Sequence, residues 1–446
     1  MKLKSFLGVG LLFIFTTLLL MWPSLYNHFP LTNPDSGSYI HNGFINDLPK
    51  DRPVFYSWYI KWVSREKSLW YVVLSQCLLL ASLITTAIFR FFPKLHFALK
   101  SGSVILLSFC TSVGWFSSQL MPDIFTSIIL LSILLFYNTS QWAIKIILAV
   151  IIFASACLHN SSLINVSAFA LLIILLSVAI KGYRSFLKPS LQLFSISLLC
   201  WIATCSLHYQ YNYGFVPSQS GHIFLMGRMA ENGILKKYLK EYCPTQNMKL
   251  CAYQNKIPDR AWDFIWNDDG AFAHSGGWDS SKSEYTKIIL GSLSKPKYLA
   301  LHIAEAIKGT VEEVCLVTVG DGLLFDVETS NVIYKIEEHF PDKLQYLRDS
   351  KQAKDKLSFT TWNLIYQSFA LLSIALTLIL LFKTKTGNTK YLLSIVMLFI
   401  LINAFTSCTF ANVLPRLNAR VFWVLPFFCT LTIFENLQSK LLKEKS

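Results

Sequence analysis

Apolar residues in this chain gather into long blocks instead of recurring at a helical or strand period. The blocks run at about 5–22, 69–89, 101–120, 122–137, 143–158, 162–180, 190–209, 360–382, 391–410 and 420–436. A bilayer-crossing helix takes about 20 predominantly apolar residues, so the pattern predicts about ten transmembrane helices. The expected architecture is an all-α polytopic membrane protein in three parts. Residues 1–209 form a seven-helix module with a first outer loop over 22–68, residues 210–359 form an extracytoplasmic segment of roughly 150 residues, and residues 360–446 form a three-helix module. Blocks 122–137 and 143–158 are short, and as a re-entrant hairpin they would lower the count to eight. The first block has a basic start like a signal peptide, but Met21-Trp22-Pro23 offers no small-residue cleavage pattern, so an uncleaved helix is expected. No internal repeat or lipidation motif is visible.

The 210–359 segment breaks the apolar pattern and has a globular composition. Trp262, Trp266 and Trp278 are candidate anchors, with turn signals at Pro258-Asp259, Asp268-Asp269-Gly270 and Gly276-Gly277. Ile333, Ile336 and Phe340 stand at helical spacing, which predicts a helix returning to the membrane surface.

Composition sharpens this picture. Of 446 residues, 53% are hydrophobic and only 15% charged, against roughly 25% charged in soluble domains. The formal net charge of +14 raises the question of a nucleic-acid footprint. With the N-terminus inside, the cytoplasmic pieces hold fifteen basic residues against Glu435 and Glu444, whereas the outer loops and the 210–359 segment are nearly balanced. The excess is therefore a positive-inside signal. It predicts that both termini are cytoplasmic and the large loop extracytoplasmic, with no nucleic-acid partner. Seven cysteines fall in apolar blocks, where thiols act as small packers. Cys243 and Cys251 flank a short outer loop, and in an oxidising periplasm they read as a disulfide, with two free thiols as the alternative.

The acidic residues carry the functional signal. Residues 1–209 contain five carboxylates, Asp35, Asp47, Asp51, Glu66 and Asp123, and the topology places all five on the outer side. Orientation bias acts on Lys and Arg and hardly on Asp and Glu, so it does not explain the clustering. Asp35 follows Asn33-Pro34, and Asp123 follows Pro122 at the start of a short apolar run that draws it toward membrane depth, where ionisable groups face a cavity or a partner. Each also reads as a helix N-cap. Basic partners on the same side are Arg52, Lys61 and Arg65 in the first loop, and Arg416 and Arg420 in the last, Leu414-Pro415-Arg416-Leu417-Asn418-Ala419-Arg420. Arginine holds phosphate in a fork of donors, although both last-loop arginines could equally snorkel to headgroups. His159, at the outer end of the fifth helix, reads as a structural residue or a ligand.

Pro34-Asp35-Ser36-x-x-Tyr39 after a first helix, with Arg52-Pro53-Val54-Phe55-Tyr56 downstream, resembles the GT-C-type membrane glycosyltransferases that use polyprenyl-phosphate-linked sugars. These include protein O-mannosyltransferases and lipid A aminoarabinose transferases. Seven N-terminal helices resemble that group's shared module. The run from Phe224-Leu225-Met226-Gly227-Arg228 through Gly276-Gly277 is similar to a segment of bacterial multi-pass proteins. The resemblance implies a GT-C-like bundle in which Asp35 is the first-loop catalytic carboxylate and Asp123 a second acidic position. The family often has an adjacent acidic pair in its first loop, whereas Ser36 follows Asp35 here.

The expected activity is inverting transfer of a sugar from a polyprenyl-phosphate donor to a glycan, lipid or protein acceptor at the outer face. Asp35 is the expected general base, and Arg52 with Arg416 or Arg420 stabilises the leaving phosphate. Tyr39, Lys61 and His159 are further candidates for substrate contact. Asp123 orients the acceptor, shares a divalent metal (Mg or Mn) with Asp35, or holds an arginine. A surface-glycan ligase or polymerase, a lipid-linked glycan transporter and an envelope scaffold are the rival readings.

Overall fold

All ten apolar blocks form helix in the computed structural model, which describes residues 3–383 and 388–444. Among the described residues the regular structure is helical, apart from an isolated bridge between Leu31 and Gln119. Seven helical stretches are long and apolar enough to cross a membrane: Leu7–Asn27, Trp70–Phe91, Asn160–Ala179, Lys181–Gln210, Thr360–Phe382, Thr389–Phe410 and Pro415–Lys443. The protein is a polytopic helical membrane protein. The remaining three, Phe97–Cys110, Ile124–Tyr137 and Trp142–Cys157, are 14, 14 and 16 residues long. At 1.5 Å per residue they reach about 21–24 Å, short of a hydrocarbon core of about 30 Å. Ile124–Tyr137 is the most protected of them, with Ile124 through Phe136 all buried.

The block at 101–120 is not one helix. Thr111 is extended (φ −137°, ψ 167°), and the chain restarts as a short helix, Val113–Ser117. The Ser112 hydroxyl donates to the Ala419 carbonyl at 2.6 Å, so a tertiary contact stands where the helical ladder would have continued. The last outer loop also differs from expectation. Pro415 opens a helix, Pro415–Phe422, so Arg416 and Arg420 are helical residues one turn apart.

The helices run between two chemically distinct ends. At one end Arg90 donates to Asn138 (2.7 Å), Lys145 to Gln192 (3.2 Å) and Gln438 to the Lys94 carbonyl (2.9 Å), while Tyr183 meets Tyr391 edge-on. This end gathers the basic connections. Lys2, Lys385 and Lys445, counted with them in the sequence, lie outside the described residues. The opposite end carries Asp35, Asp51 and Asp123.

The 210–359 segment splits between two cores. Residues from Ile223 to Tyr298 form their own cluster around Met226, Leu235, Phe264, Phe272 and Tyr285. From Val317 to Phe359 the chain packs into the main core with the apolar helices. The return helix is present as Asn331–His339, burying Val332, Ile333 and Ile336. Cys243 and Cys251 form a disulfide with Cα atoms 5.5 Å apart.

Closing that short loop restricts the unfolded chain, worth about 2–3 kcal/mol by chain entropy. Joint replacement of Cys243 and Cys251 by Ser is expected to speed limited proteolysis within 221–301 while leaving the membrane helices protected. Cleavage at the wild-type rate would show that the disulfide does not stabilise this unit.

Candidate active site at the acidic end

The loop after the first helix is held in place before it reaches Asp35. The Leu31 amide donates to the Ser118 carbonyl (3.0 Å) and the Leu120 amide to the Leu31 carbonyl (2.9 Å), laying 31 alongside 118–120. The Gln352 side-chain amide donates to the Thr32 and Leu323 carbonyls (2.7 and 3.0 Å), and its oxygen accepts from the Thr32 amide at 3.0 Å. Ser36 fixes the next turn by donating to the Leu120 carbonyl while accepting from the Asn33 amide. Gly322, at φ +71°, lets Asn33 approach so closely that any Cβ there would meet its side chain.

Asp35 sits at the N-cap position of helix Ser36–Asn42, but its carboxylate makes no capping bond. It lies between two guanidinium groups. Arg52 Nη2 donates to Oδ1 at 3.1 Å, and Arg416 Nη2 reaches Oδ2 at 3.4 Å. Arg52 also donates through Nε to Asp51 at 2.9 Å and lies over the Tyr39 ring, 4.8 Å from its centroid. Arg416 is steadied by Asn33 Oδ1 at 3.3 Å and keeps Nε without a partner. Burial alone would raise the Asp35 carboxyl. The charges of Arg52 and Arg416 outweigh burial and hold it below its ordinary value. Burial raises the Tyr39 hydroxyl, which therefore stays protonated at neutral pH.

Asp123 also occupies an N-cap position without capping. Its Oδ1 accepts from Arg420 Nη1 at 3.1 Å, with both side chains almost completely buried. Arg420 Nη2 donates to Ser161 Oγ (3.0 Å) and Asn403 Oδ1 (3.2 Å), and Asn403 in turn donates to the Leu417 carbonyl. His159 is structural in part: its Nδ1 accepts from the Ser161 amide and caps helix Asn160–Ala179. That bond assigns the ring proton to Nε2. Burial, with Arg420 adding to it, pushes the imidazole down to about 3, so it is neutral.

A cavity of about 360 Å³ opens over this constellation. Asp35, Tyr39, Asp51, Arg52, His159 and Arg416 line its polar end, while Trp201, Phe224, Leu225, Trp262, Ile265, Trp266 and Phe410 line an apolar arm. The structure thus brings Asp35, Tyr39, Arg52, His159 and Arg416 to one wall. Three other candidates stand away from that wall. Asp123 and Arg420 lie outside the lining because each neutralises the other in the packed interior, so Asp123 holds an arginine. Lys61 also lies outside it, with Nζ over the Phe44 ring at 5.2 Å. Neither arginine of helix Pro415–Phe422 snorkels, since Arg420 is fully buried and Arg416 faces Asp35.

Sequence reasoning missed Asn33, Ser161 and Asn403 as partners, and the apolar arm as a site wall. It also missed Glu313, a fully buried carboxylate. Burial pushes Glu313 up to about 8 despite the charge of Arg420. Comparison of the chain with protein-family models, curated proteins and solved structures gives no match.

Breaking a buried ion pair costs about 3–5 kcal/mol because the surviving charge is left unpaired. Asp123→Leu and Arg420→Leu are each expected to lower thermal stability in detergent, and Asp123→Leu/Arg420→Leu to recover part of the summed loss. Additive losses in the double variant would deny the coupling. Glu313 works through pH. Its folded value lies above the unfolded carboxyl value, so the unfolded chain loses its proton first as pH rises. Stability is then expected to fall between about pH 4.5 and pH 8, and Glu313→Gln to flatten that fall in thermal melts; identical profiles would show Glu313 ionised in the folded protein.

Proposed function

We propose that the protein is an inverting glycosyltransferase that moves a sugar from a polyprenyl-phosphate donor to an acceptor hydroxyl at the outer face of a bacterial inner membrane. The observation carrying this reading is Asp35, an ionised carboxylate between Arg52 and Arg416 on the wall of a cavity with an apolar arm. The polar end suits a sugar phosphate, and the aromatic arm suits the first units of an isoprenoid chain.

A carboxylate held by two arginines is a weak base, so the resting arrangement has to change when donor binds. Arg416 is the partner that moves in this reading, because its contact with Asp35 is the longer one and its Nε is unpartnered. Donor phosphate takes the Arg416 fork, Asp35 loses one counter-charge, and its proton affinity rises toward that of a working base. The acceptor oxygen then attacks the anomeric carbon as Asp35 accepts the hydroxyl proton. The bond from that carbon to the phosphate oxygen breaks with its electron pair, releasing polyprenyl phosphate with inverted configuration at the sugar. Asp35 passes its proton to solvent. Arg52 and Arg416 supply the positive charge that the departing phosphate needs.

The expected shared metal does not suit these residues. Asp35 and Asp123 are each engaged by guanidinium groups, and neither offers an oxygen to the other, so no step is routed through a metal.

Asp35→Asn is expected to abolish transfer, measured as lipid-linked and envelope glycans in cells lacking the gene and complemented with the variant, at normal expression. Arg416→Ala is expected to raise KM for donor and to lower kcat. An Asp35→Asn variant with most of the wild-type turnover would remove the base assignment and favour a glycan ligase or a transporter instead.

A further inference from the structure

Away from the cavity, three metal-binding side chains converge where the first outer loop meets the return helix. His41 lies near the end of helix Ser36–Asn42, and Glu338 and His339 end helix Asn331–His339. His41 Nδ1 is 3.0 Å from His339 Nε2, and Glu338 Oε1 is 3.5 Å from each of them. Zinc binds imidazole nitrogen at about 2.0–2.1 Å and carboxylate oxygen at about 2.0–2.2 Å, so neighbouring donors around a tetrahedral ion stand about 3.3–3.5 Å apart. The observed triangle nearly matches one face of such a tetrahedron. Hydrogen bonding accounts for it less completely, because the two ring nitrogens share a single proton and 3.5 Å is long for either contact to the carboxylate.

We infer that His41, Glu338 and His339 bind one divalent transition-metal ion, best matched by zinc, and that this ion fastens the return helix to the first outer loop. Two imidazoles and one carboxylate leave a fourth position for water. The surroundings hold each donor in place. The Phe44 ring stacks on the His339 imidazole, with centroids 4.3 Å apart and planes 9° apart, which fixes its orientation. Lys335 Nζ occupies the other Glu338 oxygen at 2.8 Å, leaving Oε1 for the ion in the manner of an outer-shell partner. The two helices meet at backbone distance, since a Cβ on Gly37 would lie 2.9 Å from the Asn331 and Val332 main chain. Side-chain exposure of 26% at His41 and 47% at Glu338 gives an ion a way in.

The ion's role is to hold, not to react. None of the three residues lines the cavity, and His41 stands six residues beyond Asp35, about 9 Å along a helix axis. By fixing the far end of helix Ser36–Asn42, the ion limits how that helix carries Asp35. The site does not depend on glycosyl transfer being the reaction.

The test uses full-length protein in detergent, purified without a polyhistidine tag and stripped with chelator, then titrated with cobalt(II) and zinc(II). Wild type is expected to take up one tight equivalent of cobalt with the strong visible absorption of a tetrahedral site, which zinc displaces. Zinc is also expected to raise its melting temperature in a concentration-dependent way. His41→Ala and His339→Ala each remove a direct ligand, so the tight equivalent is expected to weaken by more than the roughly 10–100-fold that loss of an outer partner costs. Their metal-free melting temperatures are expected to stay near that of stripped wild type. Wild type that binds no more cobalt than these variants, or shows no tight equivalent, would overturn the assignment and leave a hydrogen-bonded imidazole pair. Should a variant fail to fold, the stoichiometry and spectrum of wild type decide alone.

Discussion

Two arginines one helical turn apart, Arg416 and Arg420, join the end of the chain to its beginning. Side chains at i and i+4 share a face, so helix Pro415–Phe422 presents both guanidinium groups to the N-terminal module, one at Asp35 and the other at Asp123. Asp123 and Arg420 are almost free of water. Neither is tolerable there without the other, because an uncompensated charge in such surroundings carries a penalty of several kcal/mol. The acidic end is therefore rigid at its base, where Asp123 and Arg420 lock, and adjustable at its wall, where Arg416 makes a longer contact with Asp35.

The cavity follows from this division. Its polar end is built on residues that the locked pair positions: Ser161 links Arg420 to His159. Its apolar arm combines Trp201 and Phe410 of the membrane helices with Phe224, Leu225, Trp262, Ile265 and Trp266 from the separately packed stretch between Ile223 and Tyr298. A site with charge at one end and aromatic rings at the other suits an amphiphilic ligand. It arises where a membrane module and a separately packed unit meet.

Much of this was legible in the sequence, and the reasons differ from part to part. Apolar blocks announce helices because lipid-facing residues need no alternation. Asp35, Arg52 and Arg416 were legible because charges are scarce in the membrane modules and stand out. The break at Thr111 was not, since it depends on a hydrogen bond from Ser112 to Ala419, more than 300 positions away. The stretch 414–420 reads as loop because its arginines interrupt the apolar run, whereas the helix Pro415–Phe422 that forms there turns them toward partners in distant parts of the chain. The apolar arm escaped notice because Trp262 and Trp266 look like ordinary core anchors until the fold turns them toward the cavity. For Asp123 the sequence leaves three roles open, orienting the acceptor, sharing a metal or holding an arginine, and only its burial against Arg420 brings the last of them into view.

The distance along the chain between these partners has a bearing on biosynthesis. Asp35 and Arg416 are 381 residues apart, and Asp123 and Arg420 are 297 apart. During synthesis residues 1–209 are made well before either arginine exists. Asp35 has Arg52 beside it from the start, but until then Asp123 must stay hydrated or protonated, and helix Ile124–Tyr137 cannot settle with Asp123 in its final dry position. Completion of the last helices supplies the missing counter-charge. A chain without helix Pro415–Phe422 would therefore keep the Arg52–Asp35 pair but leave Asp123 with no counter-charge.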